Sequence, residues 1–159
     1  MIEVVFHCSG SRAGNAALFA KWHTSRKEDG GRGWNNIGYH YVILNGWLAP
    51  GAYNKHFNGH IETGRPLDDD PFFEKSERGA HAKAVNHKTI GICFVGDSGK
   101  FTDEQLNSGI ELCFMLDKQF GGIKLNQHSE YEPNKPYCAG LDIELFRKNY
   151  SVYRESIKT

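Results

Sequence analysis

Three side chains far apart in the sequence can share one chemistry. His7 closes the apolar run Val4-Val5-Phe6, and His128 follows the short alternating run Ile123-Lys124-Leu125. Cys138 stands in a loop stiffened by Pro133 and Pro136. Imidazole nitrogen and thiolate sulfur are zinc donors. Three protein donors with a fourth position left for water is how a catalytic zinc is held. The same residues at the same spacing also fit a surface histidine and an unrelated thiol, so residue types alone leave both readings open.

The elements that must position these groups can be read from periodicity and punctuation. Residues 2–7 predict a central strand, near-continuously apolar, which delivers His7 to its exit. A helix is expected from about Asn15 to Arg26, with Asn15 as cap and Leu18, Phe19 and Trp22 as its apolar stripe. Gly38 to Leu44 reads as a strong strand, Asn45-Gly46 as a hairpin turn and Trp47 to Ala49 as the returning strand. Residues 50–79, with their Gly, Pro, Asn and the acidic run Asp68-Asp69-Asp70, read mainly as surface loop with a short strand at His60 to Thr63. Thr89 to Val95 is a second buried strand. Thr102 and Gln105 match a capping box that opens a long helix to about Phe120, stopped by Gly121-Gly122. Asp142 caps a last helix, Ile143 to about Lys148, followed by a polar tail. This order predicts an α/β fold in which a central mixed sheet is flanked by helices.

Length and composition narrow the function. The chain has 159 residues, enough for one domain with a proper core. Its formal net charge is zero, so no basic excess exists to attract nucleic acid by counterion release. No apolar run reaches the roughly 18–20 residues that span a bilayer. The first residues lack the charged and apolar regions of a signal peptide, so the expectation is a protein that stays in the cytoplasm until something releases it. Of the four cysteines, Cys93, Cys113 and Cys8 read as core thiols, whereas Cys138 lies in a polar loop.

Six segments occur in a telling order: Val5-Phe-His-Cys-Ser9, Trp22-His23, Gly38-Tyr-His-Tyr41, Gly79-Ala-His-Ala-Lys83, Asn86 to Gly96, and His128 to Cys138. Together they resemble the zinc-dependent type-2 N-acetylmuramoyl-L-alanine amidases, a family that includes amidase-type phage lysozymes and peptidoglycan recognition proteins. The resemblance runs from about residue 2 to 146. Residues 47–75 match it poorly and look longer than in compact members.

The resemblance implies a single catalytic domain over residues 1–159, with one zinc ion in a surface groove. It implies His7, His128 and Cys138 as ligands, Tyr39 as the active-site tyrosine, and His81 and Asn86 as substrate contacts. From position alone, Glu130, two residues past His128, is a candidate carboxylate to brace that ligand, although a residue that braces the loop is the more ordinary reading. The family's Lys or Thr two residues before the last ligand is Pro136 here. Lys135, one residue earlier, is the candidate cation for the transition state. The implied reaction is hydrolysis of the amide between N-acetylmuramic acid and L-alanine in peptidoglycan, by a phage or prophage endolysin acting on the wall after release, with a monomer favoured. Two other readings compete: a cytoplasmic amidase recycling soluble anhydro-muropeptides, whose third ligand is usually Asp, and a non-catalytic peptidoglycan-binding module. Trp34 and Trp47 could stack on sugar or peptide, although an aromatic near a strand is more often core.

Overall fold

The computed structural model describes residues 1–158. A five-stranded mixed sheet organises the chain: β1 (Ile2–Cys8), β2 (Tyr41–Ala49), β3 (Ala52–Thr63), β4 (Thr89–Phe94) and β5 (Ile123–Gln127), in the order β3-β2-β4-β1-β5. β1 runs parallel to β4 and β5, β2 runs parallel to β4, and β3 pairs antiparallel with β2 at the edge. Helices α1 (Ala16–Thr24), α2 (Asp103–Phe120) and α3 (Ile143–Ile157) cover it. This is the expected architecture.

Strand alternation divides the core in two. Val4 and Phe6 of β1, Ile43 of β2 and Ile90, Ile92 and Phe94 of β4 pack with Ile110, Leu116 and Phe146 from α2 and α3. On the opposite face Val42, Leu44, Cys93 and Val95 pack against Phe19 of α1. The register sets His7 beside Cys93. His7 therefore belongs to the α1 face, near the C-terminal end of a central parallel strand, where open α/β sheets place their ligands.

The helix signals act as read. The Asn15 Oδ1 accepts the Leu18 N–H at 2.9 Å. Thr102 and Gln105 form the reciprocal capping box. The Gln105 side chain then donates to the Ile43 and Val95 carbonyls, both at 2.9 Å, which ties α2 to the sheet.

Three expectations need correction. Asn45-Gly46 is not the hairpin turn: β2 continues to Ala49, and the turn is Pro50-Gly51. The Asn45 side chain accepts the Trp47 N–H at 3.0 Å, and Gly46, at φ 93°, forms a register shift inside the ladder. Residues 52–63, read mostly as loop, are the long edge strand β3. α3 extends to Ile157 rather than ending near Lys148, because Phe146, Tyr150 and Tyr153 continue the apolar stripe at helical spacing. The Tyr150 hydroxyl also donates to buried Asp117 at 2.6 Å.

Candidate metal centre

β1 carries His7, and β5 runs directly into a short 3-10 turn, His128–Glu130. The following loop brings Cys138 back, its carbonyl accepting the Ser129 N–H at 2.7 Å. The ligand-type atoms of His7, His128 and Cys138 all lie within 4.8 Å of one another. They line a cleft of about 230 Å³ with Cys8, His23, Arg32, Trp34, Tyr39 and Lys135 among the other walls.

The hydrogen-bond chain behind His7 determines which of its nitrogens is free. Thr89 donates its hydroxyl hydrogen to the Val85 carbonyl at 2.9 Å. Only acceptors remain on Thr89, its Oγ1 and its carbonyl, and they meet His81 Nε2 at 3.3 and 3.4 Å. His81 Nε2 therefore carries a hydrogen, and its Nδ1 is an acceptor. That Nδ1 lies 2.9 Å from His7 Nε2, which must be the donor. His7 Nδ1 is left with a bare lone pair, and it faces the Cys138 sulfur at 3.8 Å. For His128 the argument is shorter. Its Nε2 contacts the Glu132 carboxylate, an acceptor, so Nε2 carries the hydrogen and Nδ1 is bare. Both imidazoles are braced from behind, as metal-ligating histidines usually are.

Electrostatics agree with that arrangement. Burial, then the neighbouring imidazoles, hold His7 well below the usual histidine range, and burial lowers His128. Burial takes His81 down to about 3. All three are neutral near pH 7, the protonation state a metal needs. The Cys8 thiol beside it, and then burial, push the Cys138 thiol up. A cation among these donors is what would favour its thiolate. Two neutral imidazoles and a thiol, with lone pairs converging and no fixed positive charge bonded to them, fit a divalent metal of borderline softness.

The other expected residues separate. Tyr39 lies beside His7, ring centroids 5.2 Å apart, and burial keeps its hydroxyl well above the ordinary pKa, so it is protonated. The Lys135 amine points back to the site, 3.6 Å from the Glu132 carboxylate. His81 reaches the cleft wall chiefly as the partner of His7. Asn86 is not on that wall: its Oδ1 accepts the His81 and Ala82 N–H groups at 3.1 and 2.9 Å and braces their loop. Glu130 does not brace the His128 ring. It accepts the Gln127 N–H at 2.9 Å and pairs with Arg147. Cys8 is not core but half-buried at the cleft, its sulfur 3.7 Å from the Tyr137 carbonyl.

Sequence reasoning missed Glu132, Arg32 and the structural use of His23 and Gly91. Glu132 stands four residues after His128, a spacing that a turn of helix-like chain makes neighbourly. The His23 Nδ1 accepts the Gly38 N–H at 2.9 Å and so anchors the segment that presents Tyr39. Gly91 lies under the His81 ring, where a Cβ would come within 2.6 Å of it. His40 is buried, its Nδ1 accepting the Gly91 N–H at 2.9 Å and its Nε2 donating to the Glu77 carbonyl at 2.6 Å.

With this geometry in place, similarity to known proteins carries weight. The family model described as N-acetylmuramoyl-L-alanine amidase matches residues 3–140. The endolysin of Escherichia phage T7 is 28% identical over 151 residues, covering 89% of this chain and 82% of that protein. The endolysin of Enterobacteria phage T3 is 29% identical over 153 residues, covering 89% and 83%. Among solved structures, the N-acetylmuramoyl-L-alanine amidase LysC from Clostridium intestinale URNW superposes with a TM-score of 0.69 at 22% identity, over 94% of this chain and 84% of that one. Drosophila PGRP-LB gives 0.62 at 25% identity, over 87% and 74%.

Proposed function

Because the chain belongs to the N-acetylmuramoyl-L-alanine amidase family, we infer that it hydrolyses the amide joining N-acetylmuramic acid to the L-alanine of the peptidoglycan stem peptide, in the role of a phage endolysin. The observation that carries this reading is the convergence of His7, His128 and Cys138 within 4.8 Å at a cleft. In this reading His7 and His128 hold one zinc ion through Nδ1 and Cys138 holds it through sulfur. A zinc ion there supplies Lewis acidity toward the scissile carbonyl and the attacking water.

The remaining chemistry belongs to the protein. His81 keeps the hydrogen of His7 on Nε2, and Glu132 does the same for His128, so both donors stay oriented without rearrangement. Tyr39 cannot act as a base while burial keeps it protonated. It is a hydrogen-bond donor beside the site of reaction, suited to the oxyanion that develops on the carbonyl oxygen. Lys135 places positive charge on the same side, tethered by Glu132, and takes the place of the cation that Pro136 cannot provide. Arg32, stacked over Trp34 at 4.9 Å, is a cation at the cleft wall for a stem-peptide carboxylate. A cysteine donor and a complete ligand set favour a wall-cleaving amidase over a binding module. No helix among the described residues is long and apolar enough to cross a membrane.

The experiment is mass spectrometry of peptidoglycan digested by the zinc-loaded protein. Released stem peptides with free L-alanine amino termini are the expected products. New reducing sugar ends without free amino termini would overturn the assignment.

A further inference from the structure

The β2–β3 hairpin displays more aromatic surface than its own packing uses. Trp47 is 42% exposed and Tyr53 49%, and across the groove Trp22 of α1 is 43% exposed. These rings are exposed but held. Trp47 and Tyr53 lie with centroids 5.0 Å apart. Tyr53 covers Gly46, where a Cβ would meet its ring at 2.5 Å. The Gly14 N–H donates to the Trp47 carbonyl at 2.9 Å, and the Asn45 amide donates to the Arg12 carbonyl at 2.9 Å. Between hairpin and α1 runs a cleft of about 930 Å³, walled by Leu18, Trp22, Trp47, Leu48 and Pro50, with Arg12 its one charged lining residue.

This cleft adjoins the metal site through shared wall residues. Trp22 also lines a smaller hollow with His23, Arg32 and Tyr39, and those three residues line the metal cleft. A row of adjoining hollows thus runs from the donors to the indoles. We propose that its aromatic end is a glycan subsite, binding the N-acetylhexosamine units that flank the muramoyl residue being cut. The proposal rests on the amidase reading for the identity of the polymer. The chemistry favours sugar over stem peptide. A pyranose offers an apolar C–H face to a flat indole and keeps its hydroxyl edge in water. Stem peptides carry carboxylates, and the cleft's single cation already pairs with Asp97 at 3.7 Å.

The test is a titration of the zinc-loaded protein with the β-1,4-linked tetramer of N-acetylglucosamine, followed by tryptophan fluorescence and calorimetry. Saturable binding is expected. Trp47→Ala should weaken it about tenfold, Trp47→Phe should retain most of it, and Trp22→Ala should weaken it similarly should Trp47→Ala fail to fold by circular dichroism. The ratio of kcat/KM on intact sacculi to that on a single muramoyl peptide should fall about tenfold in the same variants. Absence of saturable binding by the native protein would overturn the proposal, as would equal binding by the folded variants. Self-association that Trp47→Ala abolishes, without sugar binding, would assign the groove to a second copy instead. The titration involves no amide cleavage, so its outcome is separable from that of the product analysis.

Discussion

At the C-terminal ends of β1 and β5, buried imidazoles and half-buried thiols have assigned partners. Along β2 and β3, aromatic rings stand half in water. Among the described residues no buried side-chain nitrogen or oxygen lacks a hydrogen-bond partner, and the Thr89–His81–His7 chain shows the consequence: each partner dictates the tautomer of the next. Such a region is specified by polar satisfaction and tolerates little change. The hairpin rim is specified by a few backbone ties and ring contacts, and its apolar faces remain open. The first region suits chemistry at fixed atoms, and the second suits the capture of a long, repetitive polymer.

Substitutions should separate the two regions by size of effect. The largest loss is expected at the donors: Cys138→Ser, or zinc removal by a chelator, should lower amidase activity by about a thousandfold or more, with zinc re-addition restoring only the native protein. Tyr39→Phe should lower kcat about a hundredfold while metal analysis still finds one zinc, since only an oxyanion donor is lost; full activity would remove Tyr39 from the chemistry. One layer back, His81→Leu and Glu132→Gln should each weaken zinc affinity about 10- to 100-fold in a chelator competition. Gly91→Ala should act in the same direction as His81→Leu by displacing the His81 ring, and unchanged zinc affinity would break the proposed chain of tautomers.

The smallest expected effect is on stability against pH. Burial lowers His23 and His40 to about 4 and His81 to about 3 from the ordinary 6.5. The unfolded chain therefore takes up protons first as pH falls. Stability from these neutral histidines is complete above about 6.5 and is lost progressively as pH falls from there toward 3. The urea midpoint of the zinc-free protein should decline between pH 7.5 and 5. A flat profile would mean that these side chains are hydrated.

The donor set could be named because two histidines stand at strand exits and because the six ordered segments, the loop of Cys138 among them, resemble a known family; residue types alone left the metal site open. The two central parallel strands β1 and β4 were legible because they are nearly unbroken apolar runs. The rest was hidden for identifiable reasons. Asn45-Gly46 has the composition of a turn, yet a left-handed glycine serves equally well in a bulge. β3 looked like loop because much of it is polar and exposed at a sheet edge, where alternation fades. Glu130 looked like the brace for His128 from its proximity in sequence, but the 3-10 turn directs it to Gln127 and Arg147 and brings Glu132 to the ring. The Thr89–His81–His7 chain involves three segments and could be found only in three dimensions.

Zinc-edge X-ray absorption on the protein loaded with one equivalent of zinc tests the central claim most directly. The proposed centre predicts one sulfur scatterer at about 2.3 Å with two imidazole nitrogens at about 2.0–2.1 Å, the sulfur shell vanishing in Cys138→Ser. A shell of nitrogen and oxygen alone in the native protein would contradict it.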